Sequence, residues 1–238
     1  MSVLLEVCAA SLPSAIAAQD GGAARVELCS LLETGGITPS YGLIRATRKA
    51  LHIPVHVLIR PRSGGFVYSD AEIEIIKHDI DIAGQLGCDG VVVGLLTSKQ
   101  KVDPRVASLV DLAKRWGMSV TFHRAFDDVV DMHEGLEDVI KFGCDRVLTG
   151  GGQSTEEPSA RARLRSLVEQ AGEKIVIMPG AGVTSLNVES LLLETRAKEV
   201  HASCKQVLMS EASLFQTERW ETDETTVREI VQVLARVS

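Results

Sequence analysis

Eight short apolar runs alternate with helix-length segments along the 238 residues, and the runs repeatedly end in Glu, Cys, His, Arg or Gly. The runs occupy residues 3–7, 25–28, 55–59, 90–93, 118–122, 146–148, 175–178 and 199–201. Strand-length apolar stretches separated by helix-period stretches predict βα units and a parallel sheet. Eight such units in about 250 residues predict a single-domain (β/α)8 TIM barrel with parallel strands, spanning residues 1–238. Polar residues at the run ends then face one chemically crowded mouth.

A weak internal repeat supports closure. Residues 22–28, 87–93 and 143–149 align without gaps on a Gly-x-x-x-Val/Leu frame and mark the second, fourth and sixth strands. A doubly wound open sheet is the alternative, but no G-x-G-x-x-G follows the first strand. Helices are expected at residues 13–19, 41–51, 70–86, 103–116, 131–142, 158–171, 185–194 and 224–237, several bounded by capping residues and terminal glycines. Two connections are long, residues 30–40 and 204–222, as expected of lids or subunit contacts.

A formal charge of −7 argues against a surface that neutralises phosphates along nucleic acid. The first 18 residues contain Glu6 and Pro13 and lack a leading Lys or Arg, so neither a signal peptide nor a membrane span is expected. Five cysteines cannot all pair within one chain, which predicts reduced thiols and a cytoplasmic location.

Strand alternation assigns the two faces. Outward positions meet helices and must be apolar, which sends Val26, Leu28, Val120, Phe122 and Val200 outward and their neighbours inward. Arg25, Arg146 and Glu199 then form a lower layer, read as an ion-pair network sealing the floor. Glu27 and His201 lie in a middle layer, and Cys29 and Ser203 in an upper one. From the odd strands Glu6, Cys8, His56, Leu58, Arg60, His123, Met178 and Gly180 also point in.

Several sets in this interior suggest chemistry. Cys8 and Cys29 end neighbouring strands, about 4.8 Å apart in backbone spacing, where two thiolates approach one soft ion. Glu6 and Glu27 are an acid–base pair if mutual repulsion raises one pKa, with Arg60 as an alternative structural counter-ion. His123 and His201 end strands at the active face of this fold. Gly180 and Gly182, with Thr184 starting a helix and Ser203 nearby, predict an anion cradle of backbone amides. Arg60, Arg62 and the Gly64–Gly65 turn suggest a positive rim for a carboxylate or phosphate.

Particular motifs identify a family resemblance. Glu27-Leu28-Cys29 followed by Gly35-Gly36-Ile37-Thr38-Pro39-Ser40, and the stretch at residues 59–69 beginning Ile-Arg-Pro-Arg-Ser-Gly-Gly, closely resemble the CutC family, named for copper homeostasis. Thr121-Phe122-His123-Arg124-Ala125-Phe126-Asp127, Met178-Pro179-Gly180-Ala181-Gly182-Val183 and His201-Ala202-Ser203 extend the similarity to about residue 204. The resemblance implies a cytoplasmic TIM barrel associated with copper tolerance, with Cu(I) bound through two inward cysteines in some members. Cys8 and Cys29 match those two positions.

Three functional classes follow. The first is a copper homeostasis protein holding Cu(I) through Cys8 and Cys29, with His123 or His201 as more distant ligands and no organic cofactor. The second is a TIM-barrel enzyme acting on a small anionic or phosphorylated metabolite. The third is an interaction scaffold built on residues 204–222 and Trp220. Copper ion or a small anionic molecule is the expected partner, with no nucleic acid and no membrane, and a homodimer or homotetramer is the expected assembly.

Overall fold

The outward positions of the barrel strands are almost all apolar. Val26, Leu28, Val120, Phe122 and Val200 are fully buried, and they join the helices in one continuous core between sheet and helix ring. In the computed structural model, residues 3–209 and 218–237 are described. The strands are β1 (Leu4–Ala9), β2 (Arg25–Leu28), β3 (Val55–Leu58), β4 (Gly90–Val93), β5 (Ser119–Phe122), β6 (Arg146–Thr149), β7 (Val176–Pro179) and β8 (Glu199–Ala202). They pair in the order β7-β6-β5-β4-β3-β2-β1-β8, every pair parallel. The sheet is a nearly closed (β/α)8 TIM barrel, as the sequence predicts.

The surrounding helices are α1 (Leu12–Asp20), α2 (Tyr41–Ala50), α3 (Asp70–Gln85), α4 (Val106–Arg115), α5 (Met132–Lys141), α6 (Pro158–Ala171), α7 (Val188–Thr195) and α8 (Glu224–Val237). Local chemistry sets their starts. Ser69 caps α3 in a reciprocal capping box with Glu72, Ser40 caps α2, and Asp131 caps α5 by accepting from the His133 and Glu134 amides. Two helices begin three residues later than the sequence suggests. Asp103 folds back onto the Arg105 amide and guanidinium, so α4 starts at Val106. The Thr184 amide donates to Asn187 Oδ1, so α7 starts at Val188. None of the described helices is long and apolar enough to cross a membrane.

The long connections are partly structured. Residues 30–40 contain a short 3-10 turn at Leu32–Thr34 and an antiparallel bridge from Ser30 to Ile37. The expected loop at 204–222 instead contains an antiparallel pair, β9 (Lys205–Met209) and β10 (Glu218–Thr222); residues 210–217 lie outside the described set. Trp220, expected as a docking residue, faces the barrel mouth under the Lys205 ammonium.

Inside the barrel the apolar cluster shrinks to Cys29, Leu58 and Val92. Below it lies an ion-pair floor: Arg25 Nε donates to Glu6, Arg25 Nη2 to Glu199 at 2.6 Å, and Arg146 Nε to the same Glu199 oxygen at 2.8 Å. Arg146 Nη1 also donates to Ser119 Oγ at 2.6 Å. Buried charges of both signs meet here with their hydrogen-bonding groups largely used, the condition under which such a network is tolerated.

Candidate metal centre and barrel-mouth cavity

A cavity of about 630 Å3 opens at the C-terminal ends of the strands, the face where this fold places its chemistry. Of the residues singled out from sequence, Cys8, Glu27, Cys29, Arg60, His123, Gly182, His201 and Ser203 line it. Glu6 lies beneath the cavity wall, its side chain fully buried between Arg25 and His201. Its counter-ion is Arg25 of the floor, not Arg60.

Register decides which side chains meet. In the β1–β2 ladder Cys8 sits opposite Glu27, so the thiol's lateral neighbour is that carboxylate, while Cys29 lies one inward step closer to the mouth. On the other side β8 pairs with β1 so that Glu6 sits opposite His201. Cys8, Glu27 and His201 therefore converge, with one ligand atom from each within 4.8 Å of the others. Beside the thiol pair expected from strand spacing, the register adds this mixed trio by setting Glu27 opposite Cys8. Cys29 still lines the same cavity and acts electrostatically on Cys8.

His201 is held by both carboxylates. Its Nδ1 lies 2.8 Å from Glu6 Oε1 and its Nε2 3.7 Å from Glu27 Oε2. Gly180 makes room for Leu148: a Cβ there would lie 2.6 Å from Leu148 Cδ1, whereas His201 Cβ at 3.5 Å would be in ordinary contact. Gly180 is thus a packing residue at the seam between β7 and β8.

Burial and charge divide the titration of this cluster. Burial works to raise Glu6, but Arg25, the His201 hydrogen bond and His56 outweigh it and hold the carboxyl well below the usual range. Burial pushes Glu27 up to about 7, opposed by His201 and reinforced by Glu6. For His201 burial favours the neutral ring, yet Glu6 and Glu27 win and raise it. The Cys8 and Cys29 thiols are raised, chiefly by burial and then by neighbouring acids and thiols. Without a bound cation both cysteines are thiols, not thiolates.

Across the mouth His123 follows β5. Its Nδ1 accepts from the Ala125 amide at 3.0 Å, which places the ring proton on Nε2. Burial, then Arg60 nearby, keeps His123 down at about 3, so the ring is neutral. Gly94 provides the space, since a Cβ there would meet the imidazole at 2.3 Å. Arg60 Nη1 donates to the Gly35 and Gly36 carbonyls at 3.0 and 2.9 Å, and Nη2 to Gly64 at 2.6 Å. Phe66 packs against both, its ring 5.0 Å from the His123 ring and 5.0 Å from the Arg60 guanidinium carbon. Arg62, expected on the rim, is committed to Glu72 at 2.5 Å and to the carbonyls of Gly65 and Val67.

The expected anion cradle after β7 is altered. The turn exists, with Ala181 at φ 71° and Gly182 at φ 101°, but the Thr184 amide is spent on Asn187 and α7 starts beyond it. The glycine turn after β6 is occupied from within, because Asp127 Oδ1 accepts from the Gly150 and Gly152 amides and from Thr149 Oγ1. Sequence reasoning missed Cys204, Phe66 and Lys205 as cavity residues. Cys204 follows His201 by three residues, a signal available in the sequence; Phe66 and Lys205 arrive on loops whose paths no local pattern encodes.

Comparison with known proteins agrees with this architecture. The CutC family model matches residues 3–206. A protein named family protein CutC from Xanthomonas campestris pv. campestris (strain 8004) is 45% identical over 238 residues, covering 97% of this chain and 98% of its own. One of the same name from Xylella fastidiosa (strain Temecula1) is 49% identical over 208 residues, covering 87% and 77%. Among solved structures, the Putative Copper Homeostasis Protein CutC from Streptococcus agalactiae is 37% identical, with a TM-score of 0.78 over 84% of this chain and 98% of that one. Sequence, strand register and relatives agree: the chain belongs to the CutC family.

Proposed function

We propose that the protein is a copper homeostasis barrel that takes monovalent copper as cargo at the Cys8–Glu27–His201 cluster, with Cys29 as a second thiol on the mouth side. The observation that carries this reading is the convergence of three donor atoms within 4.8 Å of one another. Thiolate and imidazole suit soft copper, whereas hard divalent ions favour oxygen-rich sites. Glu6 contributes from behind: a carboxylate on one ring nitrogen orients the imidazole so that the other is presented to an ion, the usual arrangement around a metal-bound histidine. Because the thiols are protonated before binding, copper uptake releases protons. Five free, buried cysteines fit a reducing, cytoplasmic setting, and a homodimer or homotetramer is the proposed assembly. In an anaerobic Cu(I) competition titration, Cys8→Ser and the Cys8→Ser/Cys29→Ser double variant lose affinity stepwise. Unchanged affinity in the double variant rejects the copper site.

A second reading has its own support. The cavity, at about 630 Å3, is far larger than one ion needs, and Glu27 on its wall has a pKa near 7, suited to accepting and returning a proton at neutral pH. Those features support an acid–base enzyme on a small anionic metabolite, with Glu27 as the base and His201 and Glu6 setting its proton affinity. Native mass spectrometry of protein purified without added metal separates the two readings, since it finds copper or a retained metabolite.

A further inference from the structure

Arg60 and His123 both line the mouth, and each buries a donor that has no partner. Arg60 is 6% exposed and His123 5% exposed, and neither Arg60 Nε nor His123 Nε2 has a hydrogen-bond partner. A buried donor without an acceptor is destabilising, more so when charged. The guanidinium charge is also unbalanced. Its polar contacts are three backbone carbonyls and its flat face meets Phe66. Among the described residues no carboxylate forms an ion pair with it, although every other buried or half-buried arginine in the barrel interior, Arg25 and Arg146, is paired with an acid. The Tyr68 hydroxyl lies beside the guanidinium and carries no charge to offset it.

We propose that His123 Nε2–H and the unused edge of Arg60 form a subsite for the carboxylate of a small organic acid at the barrel mouth. The proposal rests on the second, small-molecule reading above and names its substrate class. Counting donors favours a carboxylate. Arg60 has five N–H groups, of which Nη1 and Nη2 use three on carbonyls. Two remain, with the single His123 proton as a third. Three donors of one net positive charge match the two oxygens and single charge of a carboxylate. A phosphate dianion would leave oxygens unpaired in a cavity that Glu27 also lines. His123 is suited to the task because the Ala125 amide fixes its tautomer, so it donates without a change of protonation. Phe66 covers one side of the pair. The carboxylate would anchor the ligand between the loops that follow β3 and β5.

The test is a titration of the full chain, uniformly labelled at histidine nitrogens, with sodium acetate, sodium pyruvate and inorganic phosphate at constant ionic strength. A long-range nitrogen–proton spectrum reads His123 Nε2, assigned with His123→Gln. The proposal expects a saturable downfield movement of the Nε2–H signal with acetate and pyruvate. It expects roughly tenfold weaker binding in Arg60→Lys, which keeps the charge and loses the planar edge. It is overturned if neither carboxylate moves that signal in the wild-type protein, if phosphate saturates it and carboxylates do not, or if Arg60→Lys binds as tightly as wild type. The wild-type spectrum alone decides the first two outcomes, so a poorly folded variant does not protect the idea. Should an anion move the His201 signals while His123 stays fixed, this subsite fails and the small-molecule reading stands; silence at every cavity histidine removes both.

Discussion

His201 Nδ1 lies 2.8 Å from Glu6 Oε1, while its Nε2 faces Glu27 Oε2 at 3.7 Å. One carboxylate orients the ring and the other shares the space that a ligand would enter. Removing the negative charge behind the ring lowers the donor strength of Nε2. Glu6→Gln is therefore expected to weaken Cu(I) binding by about 10–100-fold without touching a donor atom. Competition against a calibrated Cu(I) chelator under anaerobic conditions measures it, and equal affinities would remove Glu6 from the account.

Glu27 makes stability depend on pH in a definite direction. Its folded pKa of about 7 lies above the unfolded value, so its contribution is fully present below the unfolded pKa and is lost as pH rises through about 7. Glu27→Gln cannot ionise. Wild type and variant are expected to melt alike near about pH 4, with the variant melting higher near about pH 8. Thermal denaturation of both proteins across that range checks this, and parallel curves would contradict the assignment.

Arg25 ties the floor together by meeting Glu6 and Glu199 at once. Arg25→Leu leaves two buried acids short of a partner, a change that destabilises by about 3–5 kcal/mol. Adding Glu6→Gln to Arg25→Leu should recover part of that loss, because one stranded charge disappears. Urea denaturation of the single and double variants supplies the comparison; identical midpoints would mean that Glu6 does not depend on Arg25.

Gly94 and His123 form a second dependent pair. A Cβ at residue 94 would sit 2.3 Å from the ring and 3.0 Å from Ala125 Cβ. Gly94→Ala must therefore turn the imidazole off the Ala125 amide, an overpacking change of about 1–3 kcal/mol. Histidine nitrogen spectra should show the fixed Nε2–H tautomer of His123 replaced by exchange between tautomers. An unchanged spectrum would show that the site gives way elsewhere.

Much of this was legible in the sequence because barrels impose a strict rule on each strand. Outward Val26, Leu28, Val120, Phe122 and Val200 must be apolar, so their neighbours reveal the interior, including the Arg25–Arg146–Glu199 floor. Heights around the barrel were harder to read. Strand stagger is set by the whole closed sheet, so nothing local indicated that Glu27 would stand directly opposite Cys8. Glu6, placed at the mouth by its position in the first strand, sinks to the floor for the same reason. The Gly180 turn was visible, but the Asn187 side chain that takes the Thr184 amide and delays α7 was not. Phe66 and the β9–β10 pair reach the cavity through tertiary contacts alone.

The copper account stands most directly on what surrounds a bound ion. X-ray absorption at the copper edge, on protein loaded anaerobically with one equivalent of Cu(I), reports the donor atoms without relying on affinity. The account predicts a sulfur shell with a lighter nitrogen or oxygen scatterer, the sulfur reduced in Cys8→Ser and the imidazole scattering lost in His201→Ala. A shell of nitrogen and oxygen only, or a spectrum unchanged by Cys8→Ser, would contradict it.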